Sequence, residues 1–438
     1  MYNVFFLTLG CSKNDVDTSL MQNVLDNKKF LVSKNINDSE VIVINTCAFI
    51  DSAKEESIDT ILEAATYKKT AKCKKIILAG CLAQRYPEDL LNEIPEVDGI
   101  LGTGNLLELN DVINNALTGE KAISIDNLNS EFLEGYNKKD VNVTEYIKIS
   151  EGCNNNCSYC IIPKLRGRNR SRKIEDIYDE VNYLVENGTR EIILIAQNTT
   201  DYGIDNYGEY KLHSLISKLS EIKDLKWIRV MYLYPDNFTD ELIEEFRTNE
   251  KLLKYVDIPL QHISNHILKE MNRKTNKLDI ENLLTKLRLK VRNIVIRTTL
   301  IVGFPGETDS DFNELLDFVT NFEFDKLGAF TYSREEGTSA YNMADQIDED
   351  VKLSRRDKLL DNQQYMSSSL LMKNVNKTFE VLIEEKESGN IYTGRSYMDS
   401  PEIDGVVYIE TNEKLNIGDF VKVKIKESLE YDLIGELL

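Results

Sequence analysis

Short apolar runs rich in β-branched residues alternate with longer mixed stretches through the first part of the chain. Val4–Leu9, Val41–Asn45 and Lys75–Ala79 have the unbroken apolar character of strands buried on both faces of a parallel sheet. The stretches Val16–Leu25, Ser52–Thr66 and Pro87–Ile94 lie between or after them and are long enough to be crossover helices. This alternation predicts an open α/β domain over residues 1–120. A polar stretch, Asn127–Asn142, reads as a linker. Six further strands are predicted at Tyr146–Ser150, Glu191–Gln197, Trp227–Leu233, Tyr255–Gln261, Val295–Gly303 and Lys326–Ser333. Helical patterns intervene at Ile174–Val185, Leu212–Ser220, Asp240–Phe246, Asp279–Leu289 and Asp309–Thr320. Six consecutive β/α units over residues 140–370 predict a partial (β/α)6 barrel, whose chemistry belongs at the C-terminal ends of its strands. After a helix at Asp350–Lys373 the pattern changes. Short strands at Phe379–Ile383, Ile391–Ser396, Val406–Ile409 and Phe420–Ile425, punctuated by Gly, Asn and Asp, predict a small antiparallel β-barrel over residues 374–438.

Composition agrees with three folded domains. At about 150 residues per domain, 438 residues suggest three, and 42% apolar residues with 7 prolines leave ample core material. No stretch approaches the roughly 18 consecutive apolar residues of a membrane helix. The opening MYNVFFLTLGC lacks the basic flank and cleavage site of a signal peptide and reads as a first buried strand. The expected location is therefore the cytoplasm, where thiols stay reduced. With 53 basic and 74 acidic residues the formal net charge is −21. Such an excess works against a protein whose whole surface tracks nucleic acid. It suits a basic protein partner, although an acidic surface also serves plain solubility. No phosphate loop of the G-x-x-x-x-G-K type is present, so nucleotide hydrolysis is not suggested.

The 7 cysteines sharpen the picture. Cys153, Cys157 and Cys160 lie in GCNNNCSYC, just after the first barrel strand. Three thiolates at this spacing can bind three irons of a cubane cluster and leave the fourth iron without a protein ligand. A closed electron-transfer cluster or a structural zinc would want a fourth ligand, and no nearby Cys or His supplies one. Cys11, Cys47 and Cys81 each follow a predicted strand, 36 and 34 residues apart, close to one strand–helix repeat. A parallel sheet would carry all three to one edge, beyond the carboxyl ends of its strands. Individually each is an ordinary small buried residue; together they suggest a second three-thiolate site. Cys73, in KKTAKCKK before the third strand, belongs at the opposite edge and is not expected to be a ligand.

The motifs TLGCSKNDVD, GCNNNCSYCIIPKLRGRNRSR, YVDIPLQH and LIVGFPGET resemble the methylthiotransferases, a family of radical S-adenosylmethionine enzymes, and the likeness extends over nearly the whole chain. The resemblance implies an N-terminal cluster domain, a radical S-adenosylmethionine barrel and a C-terminal TRAM domain. It implies that Cys11, Cys47 and Cys81 hold an auxiliary 4Fe–4S cluster and that Cys153, Cys157 and Cys160 hold the radical-generating one. Within the family, the segment from Gly394-Arg395-Ser396 through Asp399-Ser400-Pro401-Glu402-Ile403-Asp404-Gly405 resembles the branch acting on an aspartate of ribosomal protein S-twelve. The implied reaction puts a methylthio group on the aspartate β-carbon, whose C–H bonds are too weakly acidic for a side-chain base. S-adenosylmethionine, cleaved by an electron from the open-iron cluster, would give the 5′-deoxyadenosyl radical that removes the hydrogen atom. Sulfur from the auxiliary cluster and a methyl group from a second S-adenosylmethionine would follow. Implied partners are the ribosomal protein, free or in the small subunit, a flavodoxin- or ferredoxin-type electron donor and a sulfur source. A monomer is the default. Methylthiolation of transfer-RNA adenosine by the same machinery is the near alternative; a non-catalytic iron–sulfur sensor or RNA-binding module is the distant one.

Further residues are candidates with two readings each. Gln197 and Gln261, at strand ends, can bond cofactor or substrate, or be ordinary polar strand termini. The Gly303-Phe304-Pro305-Gly306 turn can admit the adenine of the cofactor, or be structural. Lys164, Arg166, Arg168, Arg170 and Arg172 read as a solvated basic loop, with one arginine available for the cofactor carboxylate. Asp399, Glu402 and Asp404 can meet basic substrate side chains, or be turn residues.

Overall fold

The computed structural model describes residues 1–438 except 131, 133, 136 and 137. These four lie in the predicted linker 127–142, so that part of the linker falls outside the described residues; the rest of it has no helix or strand.

The first unit is a six-stranded sheet, parallel throughout, built from β1 (Tyr2–Thr8), β2 (Phe30–Val32), β3 (Val41–Thr46), β4 (Lys75–Ala79), β5 (Gly99–Leu101) and β6 (Ala122–Ser124) in the order β2-β1-β3-β4-β5-β6. The predicted strands β1, β3 and β4 form its middle. All six residues of β3 are buried, as expected of a strand covered on both faces. The three strands not predicted, β2, β5 and β6, have three residues each and are too short to carry a period.

The second unit is the predicted partial barrel. Strands β7 (Thr144–Lys148), β10 (Glu191–Ile195), β11 (Trp227–Val230), β12 (Leu252–Asp257), β13 (Val295–Val302) and β14 (Lys326–Thr331) pair in parallel in chain order. Between β7 and β10 the chain makes a small hairpin, β8 (Ser150–Glu151) with β9 (Arg170–Ser171). Strand alternation divides the core. Ile192, Leu194, Ile228, Val230 and Val256 pack outward against the crossover helices. Ile193, Ile195, Trp227, Met231, Tyr255 and Val295 point inward, where they meet the third unit.

That unit is a closed barrel of β15 (Thr378–Lys386), β16 (Ile391–Arg395), β17 (Val407–Glu410), β18 (Phe420–Ser428) and β19 (Leu433–Leu437). The expectation of a purely antiparallel barrel needs correction. It has a fifth strand, and β17 pairs with β19 in parallel to close the ring. The five residues LIGEL at the end of the chain carry too little pattern to announce a strand.

The expectation that Asp399 and Asp404 face a substrate also fails. Both are buried at the junction with the barrel: Lys326 Nζ donates to Asp399 at 2.7 Å, and Asp404 accepts the Tyr255 hydroxyl at 2.7 Å. Of the three acids only Glu402 is exposed. The same junction buries Arg395, which pairs with Glu191 at 2.6 Å while Arg229 holds the other Glu191 oxygen at 3.0 Å. Arg395→Met would leave Glu191 buried with one cation fewer. The expected cost in a denaturant titration is about 3 kcal/mol, with residues 374–438 becoming the first site of limited proteolysis.

Candidate active site

The parallel register carries Cys11, Cys47 and Cys81 to one edge of the first sheet. Leu9 N–H donates to Asn45 O at 2.9 Å and Thr46 bridges Gly80, so the chain ends of β1, β3 and β4 stay aligned. Cys11 begins the helix Ser12–Val24, Cys47 follows β3, and Cys81 lies in the short helix Gly80–Arg85. A Cβ on Gly10 would stand 2.9 Å from Cys47 Cβ, so only glycine lets these two loops approach so closely. Asn14 fastens them from below, donating to Leu9 O at 2.7 Å and Thr46 O at 3.2 Å. The three thiols lie within electrostatic reach of one another. Burial pushes the Cys47 thiol up and Cys81 to about 11, against the pull of the Arg166 guanidinium. Cys73 is buried beside the start of β4, at the other edge.

The second trio sits in the loop after β8. Cys153 N–H donates to Gly167 O at 3.1 Å, Ser158 Oγ to Glu270 O at 2.7 Å, and Ala340 N–H to Ser158 O at 2.8 Å. The loop is thus closed on itself at Gly167 and pinned to two other parts of the barrel, at Glu270 and Ala340. Burial raises Cys153 to about 11 and Cys160 to about 12. The Tyr234 hydroxyl is 3.7 Å from Cys157 Sγ, and the Arg273 guanidinium stacks 3.8 Å over the Tyr234 ring. Sulfurs this dry ionise only beside positive charge, which iron would supply. Among the described residues no three His, Cys, Asp or Glu side chains converge on a single-ion position. Neither trio has the tight geometry of a mononuclear zinc site, with sulfurs about 2.3 Å from one metal.

Four charged side chains join the two trios. Lys148, at the end of β7, reaches Asp17 on the helix Ser12–Val24 and Glu151 on β8, the latter at 2.6 Å. Arg166 pairs with Asp17 at 3.0 Å and Glu151 at 3.1 Å, donates to Asn14 Oδ1 at 2.7 Å, and contacts Cys81. All four are buried. On the other edge of the barrel sheet, Glu335 beyond β14 receives Arg85 at 2.7 Å and Lys54 at 2.9 Å. The first unit therefore spans the gap between β7 and β14, with its cysteine edge turned to the barrel mouth.

The basic run is not a solvated loop, as expected from its charge. Lys164 and Arg168 are exposed, but Arg166 and Arg172 are buried, the latter paired with Glu180 at 2.6 Å. A string of arginines looks the same whether or not carboxylates from other elements wait for it.

Several buried polar atoms at the mouth lack a partner among the described residues: Ser150 Oγ, both amide atoms of Asn155, Gln197 Oε1, Asn198 Nδ2 and Gln261 Oε1. Buried polar groups are normally satisfied, and these ring the space above β7, β10 and β12, so the residues fit a polar ligand such as S-adenosylmethionine. Gln197 has a second duty, donating to Glu151 at 2.6 Å. Gln261 and Tyr232 hold left-handed backbone, φ 71° and 61°, at about 1–3 kcal/mol each. In the glycine turn, Lys352 fills the space of a Gly303 Cβ, whereas Gly306 has nothing within 4 Å. Sequence reasoning missed Lys13, Asp17, Lys148, Glu151, Tyr232, Tyr234 and Arg273. Strand-end position was the available signal for Lys148, Glu151, Tyr232 and Tyr234; nothing local marks the other three.

Comparison with known proteins gives three family matches: the Radical SAM superfamily over residues 147–319, the uncharacterized protein family UPF0004 over 3–102, and the TRAM domain over 375–438. The chain is 47% identical over 440 residues to the ribosomal protein uS12 methylthiotransferase RimO of Clostridioides difficile, covering 100% of this chain and 99% of the relative. It is 49% identical to that of Clostridium botulinum strain Eklund 17B, covering 99% and 98%. Among solved structures, the radical S-adenosylmethionine methyltransferase TsrM of Kitasatospora setae superposes with a TM-score of 0.59 at 13% identity, covering 78% of this chain and 74% of TsrM, a likeness of fold.

Glu151 makes the four-charge knot testable by pH. Burial alone would raise its carboxyl, but Lys148 and Arg166 hold it well below the usual carboxylate range. A depressed folded pKa gives stability that is complete above the unfolded value of about 4.3 and fades only as pH falls further. Glu151→Gln should therefore cost about 3–5 kcal/mol at pH 7, and the gap between variant and wild type, read from denaturant midpoints, should narrow only below about pH 4.

Proposed function

The chain belongs to the radical S-adenosylmethionine methylthiotransferases of ribosomal protein uS12, and on that premise we propose how its residues divide the work. Its activity is methylthiolation of uS12, and the atom modified is the β-carbon of an aspartate. Cys153, Cys157 and Cys160 would hold one 4Fe–4S cluster with an open iron; Cys11, Cys47 and Cys81 would hold the second. When bound, the clusters and S-adenosylmethionine supply the electron, the hydrogen-abstracting radical, the sulfur and the methyl group.

The protein's part is orientation and exclusion. Gln197 and Gln261 offer their unpartnered oxygens to the amino and hydroxyl groups of S-adenosylmethionine. Arg273, stacked on Tyr234 beside Cys157 with its Nε unpartnered, is a cation for the cofactor carboxylate or the cluster charge. The Gly303–Gly306 turn, open on its Gly306 side, would admit the adenine. The first unit lies across the barrel gap and keeps bulk water from a reactive centre. The observation that carries the reading is the pair of cysteine trios, one at the sheet edge of the first unit and one in the loop after β8, with the buried Asp17–Lys148–Glu151–Arg166 knot between the two units.

The functional units are residues 1–120, 140–370 and 374–438. Electrons would come from a flavodoxin- or ferredoxin-type donor and sulfur from a separate source. The enzyme works as a cytoplasmic monomer; no helix among the described residues is long and apolar enough to cross a membrane.

Anaerobic reconstitution should load about eight irons per chain, and replacing Cys153, Cys157 and Cys160 together should leave about four. An iron content unmoved by that replacement would remove them as ligands. Cys73→Ser should keep full iron and activity. Offered uS12 and transfer RNA with S-adenosylmethionine and a strong reductant, the enzyme should add one methylthio group to an aspartate of the protein. A mass gain on the RNA alone would point to adenosine instead, and cluster spectra without S-adenosylmethionine cleavage to a sensor.

A further inference from the structure

Lys13 stands on the first turn of the helix Ser12–Val24, two residues past Cys11, and is buried. Its Nζ lies 2.9 Å from the centroid of the Tyr232 ring, so it leaves its own unit and enters the barrel mouth. Lys148 and Arg166 are saturated by carboxylates, but among the described residues Lys13 has no salt bridge. An ammonium taken out of water needs a counter-charge, and a ring face returns only part of what hydration gave.

Tyr232 is placed with care. Its carbonyl accepts the Thr199 N–H at 3.1 Å and the Thr199 hydroxyl at 2.8 Å, and its own N–H donates to Asp257 at 3.0 Å. These bonds hold the left-handed backbone that aims the ring at Lys13. Two residues on, Tyr234 touches Cys157. The Lys13–Tyr232 contact therefore joins the two trios: one partner is two residues from Cys11, the other two residues from the tyrosine beside Cys157.

We propose that Lys13 grips the side-chain carboxylate of the substrate aspartate, its ammonium resting on Tyr232 until the substrate arrives. The proposal rests on the uS12 reading above. The carboxylate carbon is bonded directly to the β-carbon, so a charge-assisted hydrogen bond to the carboxylate fixes the reacting atom to within one bond of the gripped group. It also sets specificity. Asparagine has the same shape but no charge, and adenosine carries no anion at its reacting base, so either would leave the ammonium unpaired.

The test uses reconstituted holoenzyme and two probes: uS12, and uS12 with the target aspartate changed to asparagine. Lys13→Met and Lys13→Gln should keep the wild-type iron content and substrate-free S-adenosylmethionine cleavage. Wild type should bind uS12 about 10- to 100-fold more tightly than the asparagine form; both variants should bind the two forms equally, with affinity for the asparagine form unchanged. Lys13→Arg, which keeps the charge, should restore part of the preference. Full preference in an iron-replete Lys13→Met enzyme would overturn the proposal. So would loss of iron in both neutral variants, which would make Lys13 a support for the cluster. If wild type modifies neither protein, the uS12 reading itself fails.

Discussion

The architecture of the site hangs on four buried charges. Asp17 comes from the first unit; Lys148, Glu151 and Arg166 come from the edge of the barrel and the loop that follows. Such a knot adds little net stability over apolar packing of the same volume, because four ions have been stripped of water. What it fixes is register. Any other docking of the two units would leave carboxylates and cations buried without partners. Arg166 is central, since the guanidinium that answers Asp17 and Glu151 also reaches the Cys81 thiol. The fit between two domains and the placement of one cysteine trio are thus a single interaction.

A partial barrel has an open side, and an open side admits water. Here the first unit crosses that side and is tied at both margins, through Lys148 and Arg166 near β7 and through Glu335 beyond β14. Its cysteine edge becomes the roof of the barrel mouth. The two cysteine trios are thereby held by the same knot of buried charge at the barrel mouth. The polar atoms of Gln197, Asn198 and Gln261 that lack a partner among the described residues follow the ends of β10 and β12 at that mouth.

The C-terminal barrel has a different role from the one its acidic turn suggested. Asp399 and Asp404 bind Lys326 and Tyr255, and Met398 packs in the same core as the inward side chains of β10 to β13. The turn is an internal fastening. An acidic surface remains on the rest of this unit, with 6 basic and 12 acidic residues from Lys377 to Leu438 once Arg395, Asp399 and Asp404 are set aside, and suits a basic protein substrate.

The order of elements and the arrival of Cys11, Cys47 and Cys81 at one sheet edge were legible in the sequence because each rests on local repetition. Apolar runs of five or more residues announce strands, and a cysteine one or two residues past each of three parallel strands must arrive at a common edge. The edge strands β2 and β6 and the closing strand β19 were not legible, because three to five residues acquire strand character only from a neighbour's hydrogen bonds. Charge was the least legible of all. Arg166, Arg172, Asp399 and Asp404 read locally as solvated, and Lys13 drew no notice beside Cys11. Whether a charge is buried, and what answers it, depends on residues from other elements, 73 positions away for Asp399 and Lys326 and 131 for Asp17 and Lys148. Periodicity is a property of neighbours in the chain; counter-ions are neighbours only in space.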